Sequence, residues 1–398
     1  MVASIMTTKA SHLLTQTARR KYPLFILLAI ILVIIYPFTS SYLLPGSSRA
    51  VTSPAPITAS EPLSAQLLSQ FSGSSSSSST SGSAKDLPAR TLLARPISKD
   101  RTTIPKIIHQ TWFPAGSNMS ESAKGWVETV KRFHPDWEYV LWDDESNDAL
   151  VREHFPWFWE TYRELPKEIN RADMARNFYM YLFGGMYADV DTEALRPVDT
   201  LFFSHDVALN THQAILSSPA PASAGNTQRA FMGRMAHTLD PEGLGAIPNG
   251  WMASPPGHPF WLLSVLSVLE NPKGDGSVEG MTGPGILGPL IKQYFGNTPS
   301  QRAGLRRQLC MRIQSAQPGW DLFCPMGSLE EDGVEELQHS LVLLPREQIY
   351  PFSWADDGEV KVCLGAKSNP LFDPEACKRR MDVDAWPSYF ITYCTHTW

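Results

Sequence analysis

The chain has 398 residues, enough for one large or two ordinary domains, and a formal net charge of −6. That balance argues against a sequence-independent nucleic-acid binder, which needs a basic surface, so no nucleic-acid partner is expected. Aromatic residues make up 11%, with 12 Trp and 12 Tyr, a supply that serves core packing and also the stacking of sugars and bases.

Residues 1–21 form a basic tail: Lys9, Arg19, Arg20 and Lys21 precede an apolar run from Tyr22 to Leu44. About 20 such residues span a bilayer core of about 30 Å. The run is longer than that of a signal peptide and lacks a small-residue cleavage site, so residues 22–44 are expected to be a retained anchor. Positive charge before the run places the tail in the cytosol and the rest in a lumen or outside, a single-pass type II arrangement. Residues 45–103 turn to Ser, Pro, Ala and Gly around Ser74–Ser79 and are expected to form an unstructured stem. All five cysteines follow the anchor, where disulfides are permitted. Cys310 with Cys324 and Cys363 with Cys377 can each close a short loop, leaving Cys394 over, although four cysteines already allow three connectivities. Asn118 heads the sequon Asn118-Met119-Ser120, which a lumenal location makes usable.

The folded part is expected over 104–398 as a single α/β domain. Lys106–Trp112 reads as a buried strand and Ser122–Phe133 as a helix. Trp137–Trp142 alternates like a second strand and ends in Asp143-Asp144. Ala149–Tyr162 follows as an aromatic helix or a pair of short ones. Asn170–Leu182 has helical spacing, with Met174, Phe178, Tyr181 and Leu182 on an inner stripe, and Gly184-Gly185 ends it as a C-cap does. Met186–Val190 is the next strand. The order strand, helix, strand, helix, helix, strand suggests a mostly parallel sheet. Ligands gather at the carboxyl ends of such strands, which brings His109–Trp112, Asp143–Asp144 and Asp189–Asp191 towards one site. Further on come a Pro-rich loop at Ala214–Gly225, a helix at His258–Leu269, a Gly-rich turn at Gly280–Gly288 leading into a helix at Leu290–Phe295, and an aromatic tail ending in His396-Thr397-Trp398.

The stretch Arg171–Asp191, RADMARNFYMYLFGGMYADVD, carries the chemistry. Asp173 and Arg176 share one face of a helix, three residues apart, and Asp189 and Asp191 share one side of a strand end with Val190 turned inward. Two carboxylates so placed seat a divalent cation that also holds phosphates. An EF-hand loop starting at Asp189 fails, because its glycine position is Ala194 and its twelfth is Thr200. A paired-carboxylate hydrolase fails too, because carboxylates two residues apart cannot flank a glycosidic bond from opposite faces. A surface ion pair is the bland alternative for Asp173 and Arg176.

Four segments together resemble glycosyltransferase family 32, the fungal mannosyltransferase-like group with a DXD signature: Ile104–Trp112 (IPKIIHQTW), Arg171–Asp191, Gly257–Phe260 (GHPF) and Thr282–Gly285 (TGPG). The resemblance implies a GT-A-type, Rossmann-like fold, a nucleotide-sugar donor with GDP-mannose favoured, Mn²⁺ or Mg²⁺, retention of anomeric configuration, and a Golgi location. It implies that Asp189 and Asp191 are the DXD pair, Asp191 the more direct metal ligand. Asp173 and Arg176 look like the D-x-x-R pair of the donor site. His109, Gln110 and Trp112 look like the lip that holds the base, and Asp143 and Asp144 face either the ribose or solvent. His258, Thr282 and Gly283 fall on the acceptor side or in plain structural roles, and His396 is a candidate third metal ligand. With no nucleophile evident, retention implies front-face attack, the leaving phosphate taking the acceptor proton. Acceptors within the family are the N-glycan outer chain and inositol phosphoceramide. The competing readings are transfer from a UDP-sugar and an inactive carbohydrate-binding relative.

Overall fold

Successive side chains of a strand point to opposite faces, so a sheet covered on both sides needs apolar residues at nearly every position. The segments 186–188 and 251–253 have that character and lie in the middle of the sheet in the computed structural model. It describes residues 82–210, 227–235, 246–298, 301–302, 304–318, 338–353, 356, 358–365, 369–385 and 388–395. The chain divides into two units, Met1–Ser78 and Ser79–Trp398, and every described residue lies in the second. Among the described residues no helix is long and apolar enough to cross a membrane; the expected anchor at 22–44 lies outside them.

The central sheet has seven strands in the order β1-β4-β3-β5-β9-β8-β10. These are β1 (Lys85–Asp86), β3 (Ile107–Thr111), β4 (Glu138–Trp142), β5 (Gly185–Ala188), β8 (Thr227–Gly233), β9 (Trp251–Ser254) and β10 (Gln338–Leu344). All neighbours pair in parallel except β9, which runs against both β5 and β8. The mostly parallel sheet read from the sequence is therefore present. Two small ladders flank it: β2 (Ile104–Pro105) with β7 (Leu209–Asn210), and β6 (Thr192–Ala194) with β11 (Phe390–Thr392).

Alternation splits the core into two layers. Ile107, Val140, Trp142, Tyr187 and Met252 face α2 (Asp144–His154), α3 (Glu168–Leu182) and α4 (Phe260–Glu270). Ile108, Tyr139, Met186, Ala188 and Ala253 face α1 (Glu121–Phe133) and the C-terminal segments. Helix α3 is buried on every side from Ala172 to Leu182, so its expected single inner stripe is replaced by a helix wedged between sheet, α2 and α4.

The folded unit starts earlier than Ile104. Strand β1 pairs with β4 inside the segment read as stem, and Ala84, Leu87, Ala89, Leu92 and Leu93 are buried. These residues cover the sheet edge, but the surrounding Ser- and Pro-rich composition hides them when the segment is averaged. Cys363 and Cys377 form the expected disulfide. Cys310 is disulfide-bonded, its expected partner Cys324 lying outside the described residues, and Cys394 is free.

Gly184 and Gly185 turn the chain from α3 into β5 at φ +66° and +92°. A Cβ on Gly185 would lie 2.4 Å from the Ile107 carbonyl oxygen. Gly185→Ala is therefore expected to destabilise the fold by about 3 kcal/mol, from φ strain and steric overlap together. Denaturant unfolding checks this; a loss below about 1 kcal/mol would show that the neighbouring backbone yields.

Candidate functional site

Because β9 runs backwards, its N-terminal end meets the C-terminal ends of its neighbours. The pairing of Ala188 with Trp251 sets Gly250 beside Asp189, whose backbone N–H donates to the Gly250 carbonyl at 2.8 Å. A cavity of about 390 Å³ opens there, lined by Asp173, Arg176, Asp189, Asp191, Asn249 and Tyr350 among others. Asp189 and Asp191 sit on the turn between β5 and β6 rather than on a strand, closed by Thr192 N–H donating to the Asp189 carbonyl at 3.1 Å. Val190 still turns into the core and both carboxylates line the one cavity.

Arg176 is buried on α3 and held from several sides. One terminal nitrogen donates to the Asn249 carbonyl at 2.9 Å and lies 3.3 Å from Asp189 Oδ1; the other lies 3.2 Å from Asp173 Oδ1. The guanidinium stands 4.7 Å from the centroid of the Tyr187 ring. Burial pulls its pKa down, but Tyr187, Asp189 and Asp173 outweigh that and keep it charged. Asp173 is equally fixed: Asn249 Nδ2 donates to Oδ1 at 2.8 Å and Thr282 Oγ1 to Oδ2 at 3.0 Å. Burial raises the Asp173 pKa, with Arg176 and both hydrogen bonds opposing. The D-x-x-R pair is thus a buried network, not a surface ion pair.

Asp189 accepts from the Tyr187 hydroxyl at 2.6 Å through Oδ1, which leaves Oδ2 towards Gly250 and the cavity. Its pKa is pushed up to about 6, chiefly by burial, with Asp191 adding to the rise and Arg176 opposing it. Asp191 is gripped by the C-terminal segment. Thr395 donates its N–H at 2.8 Å and its hydroxyl at 3.1 Å to Oδ2, and Thr392 donates to Oδ1 at 3.3 Å. The ladder of β6 with β11 delivers these threonines from some 200 residues along the chain, and no local signal in the sequence announces it.

The other residues singled out in the sequence separate. His109 is not at the site. It is fully buried on the α3 side of β3, its Nε2–H donating to the Gly184 carbonyl at 2.9 Å and its Nδ1 accepting from Trp142 at 3.1 Å. Burial pushes its pKa down to about 3, so it is neutral. Gln110 faces the other way and donates to the Ala188 and Asp189 carbonyls, bracing the turn. Trp112 is half-buried and borders a small cleft with Arg176 and Asp189, its indole N–H donating to the Ser117 carbonyl at 3.0 Å.

Asp143 caps α2 in a reciprocal capping box with Ser146, and Asp144 accepts from Ala115 N–H at 2.7 Å, so both carboxylates serve local structure. His258 is fully buried and does not line the cavity, accepting from Phe260 N–H and contacting the Ser340 carbonyl. Thr282 and Gly283 back Asp173; Thr282 accepts from Asn170 while donating to Asp173, and Gly283 precedes the helix Pro284–Gly296, which starts six residues before the expected Leu290. Asn118 is exposed on the loop before α1. His396 lies outside the described residues. No local sequence signal marks Asn249, Tyr187, Thr392 and Thr395 for the site; Asn249-Gly250 before an apolar strand is a turn signal but carries no chemical one.

Among the described residues no three metal-ligating side chains cluster together. Asp189 and Asp191 remain as a pair on one cavity, which fits a cation that takes its other ligands from diphosphate and water.

Residues 120–208 match the family described as "Glycosyltransferase sugar-binding region containing DXD motif", which bears out the resemblance read from the sequence. Over 199 residues the chain is 32% identical to a mannosyl phosphorylinositol ceramide synthase of Saccharomyces cerevisiae, covering 48% of this chain and 43% of that one. Over 107 residues it is 42% identical to inositol phosphoceramide mannosyltransferase 3 of Schizosaccharomyces pombe, covering 26% and 29%. Over 218 residues it is 31% identical to an initiation-specific alpha-1,6-mannosyltransferase of Candida albicans, covering 48% and 54%. The chain thus spans about half or less of these relatives.

Proposed function

We propose that this chain, which carries a DXD-type glycosyltransferase sugar-binding region, is a cation-dependent, retaining glycosyltransferase of GT-A type. The donor is GDP-mannose and the acceptor an inositol phosphoceramide, with an N-glycan outer chain as the second acceptor class. The enzyme sits in a Golgi membrane through residues 22–44 with residues 104–398 and the site in the lumen. The observation that carries the reading is the joining of Asp189, Asp191 and the pinned Arg176 on one cavity inside the matched region. Over about 200 residues the identity to a mannosyl phosphorylinositol ceramide synthase (32%) and to the initiation-specific alpha-1,6-mannosyltransferase (31%) is alike, so the preference for the lipid acceptor rests only on the 107-residue segment that is 42% identical to inositol phosphoceramide mannosyltransferase 3.

In this reading Asp189 and Asp191 hold Mn²⁺ or Mg²⁺, which when bound offsets charge on the departing diphosphate. Arg176 supplies a fixed positive charge at the same place, and Asp173 with Asn249 stops it from swinging away. Gln110 holds the backbone that carries the carboxylates. The preset network means little reorganisation accompanies transfer.

The full-length chain, incubated in turn with GDP-mannose, UDP-galactose and UDP-glucose plus each acceptor, is expected to yield a mannosylated lipid by mass spectrometry. Product from a UDP-sugar alone would overturn the mannosyl assignment. Binding without any turnover would favour a carbohydrate-binding relative.

Metal affinity should depend on pH in a window set by Asp189. The cation needs the carboxylate form, and the raised pKa means protons compete from about pH 6 downwards. Mn²⁺ affinity is expected to be level above that and to fall about tenfold per pH unit below it. A flat profile between pH 7 and 5 in calorimetric titrations would contradict this.

A further inference from the structure

Tyr350 follows β10 and the short helix Arg346–Ile349 and lines the same cavity as Asp189. It is 1% exposed, and its hydroxyl has no hydrogen-bond partner among the described residues. The ring is clamped: a Cβ on Gly233 of β8 would come within 2.8 Å of it, and Tyr350 N–H donates to the Arg346 carbonyl at 2.8 Å. A buried hydroxyl without a partner costs stability and is retained where something else satisfies it.

The hydroxyl faces the cavity. A Cβ placed on Gly250 would lie 2.6 Å from Asp189 Oδ2 and 3.4 Å from the Tyr350 hydroxyl oxygen, so both atoms meet at the space this glycine leaves open. Asp189 Oδ2 is the oxygen that Tyr187 and Arg176 do not occupy. A ligand oxygen beside it comes within reach of Tyr350. Burial keeps the phenol protonated, and an uncharged O–H donor beside two carboxylates suits an anionic oxygen brought in with a cation.

We propose that Tyr350 is a donor-substrate contact, its hydroxyl donating a hydrogen bond to a diphosphate oxygen of the nucleotide held at Asp189 and Asp191. The inference rests on the nucleotide-sugar reading above and adds to it a residue that caps a short helix after β10, far from the DXD segment in sequence. The bond strengthens as the leaving diphosphate gains charge, so Tyr350 acts on turnover as well as on binding.

The test compares full-length wild type and Tyr350→Phe. Titration with Mn²⁺ and GDP should show affinity reduced about tenfold, and GDP-mannose hydrolysis should show kcat reduced about 100-fold, the lower end of what losing one oxyanion donor costs. The melting temperature should be unchanged or raised, because the variant removes an unsatisfied hydroxyl and no hydrogen bond to any described residue. GDP affinity within twofold of wild type would overturn the proposal. So would a loss confined to GDP-mannose, which would put the hydroxyl on the sugar, or a fall in melting temperature accompanying the affinity loss, which would make Tyr350 a packing residue. A wild type that binds neither GDP nor UDP would instead overturn the nucleotide-sugar reading itself.

Discussion

Asp191→Asn is expected to lower cation-dependent donor turnover about 10³-fold, close to 4 kcal/mol of transition-state stabilisation. Two effects combine. The amide loses the charge that seats the cation, and it presents an NH₂ where Thr395 and Thr392 supply only donors. The second effect should loosen the C-terminal segment, which hydrogen exchange at the Thr395 amide would register as lost protection. Steady-state hydrolysis of GDP-mannose with and without Mn²⁺ reads the first effect. Turnover within tenfold of wild type would sink the metal-centred mechanism, whatever happens to the tail.

Arg176→Met should act on folding as well as on turnover. It leaves Asp173 and Asp189 in a buried space without their shared cation, a situation that costs about 3–5 kcal/mol. For a folded unit of this size that corresponds to a melting temperature lower by roughly 10 °C. The deficit should be largest near neutral pH and shrink as pH falls, because protonating the two carboxyls removes the unpaired charge. Arg176→Lys should rescue little, since one ammonium cannot reach Asn249, Asp189 and Asp173 together. A methionine variant that melts with wild type would show that the network contributes no net stability.

The elements were legible because their signals are local. The alternation of Trp137–Trp142 and the buried run at Lys106–Trp112 are read directly off the chain, and the observed strands Glu138–Trp142 and Ile107–Thr111 fall inside them. Misreadings arose where a residue's face or partner decides its role. His109 and Gln110 are neighbours with similar polarity, yet the pleat sends one into the aromatic layer beside Tyr179 and the other to the turn that carries Asp189. Asp143 ends a strand and starts a helix at once, and capping claims its carboxylate.

By itself the sequence determined the layered α/β class, the carboxylate pair, the arginine and the family they resemble, because period, spacing and residue type are properties of short segments. Only the tertiary structure decided what surrounds them. The reversed strand β9 brings Asn249 and Gly250 to Asp173, Arg176 and Asp189; the C-terminal ladder brings Thr392 and Thr395 to Asp191; β10 brings Tyr350 to the cavity. Each of these contacts joins residues far apart along the chain, and strand order, which sets them, leaves no mark in the local pattern.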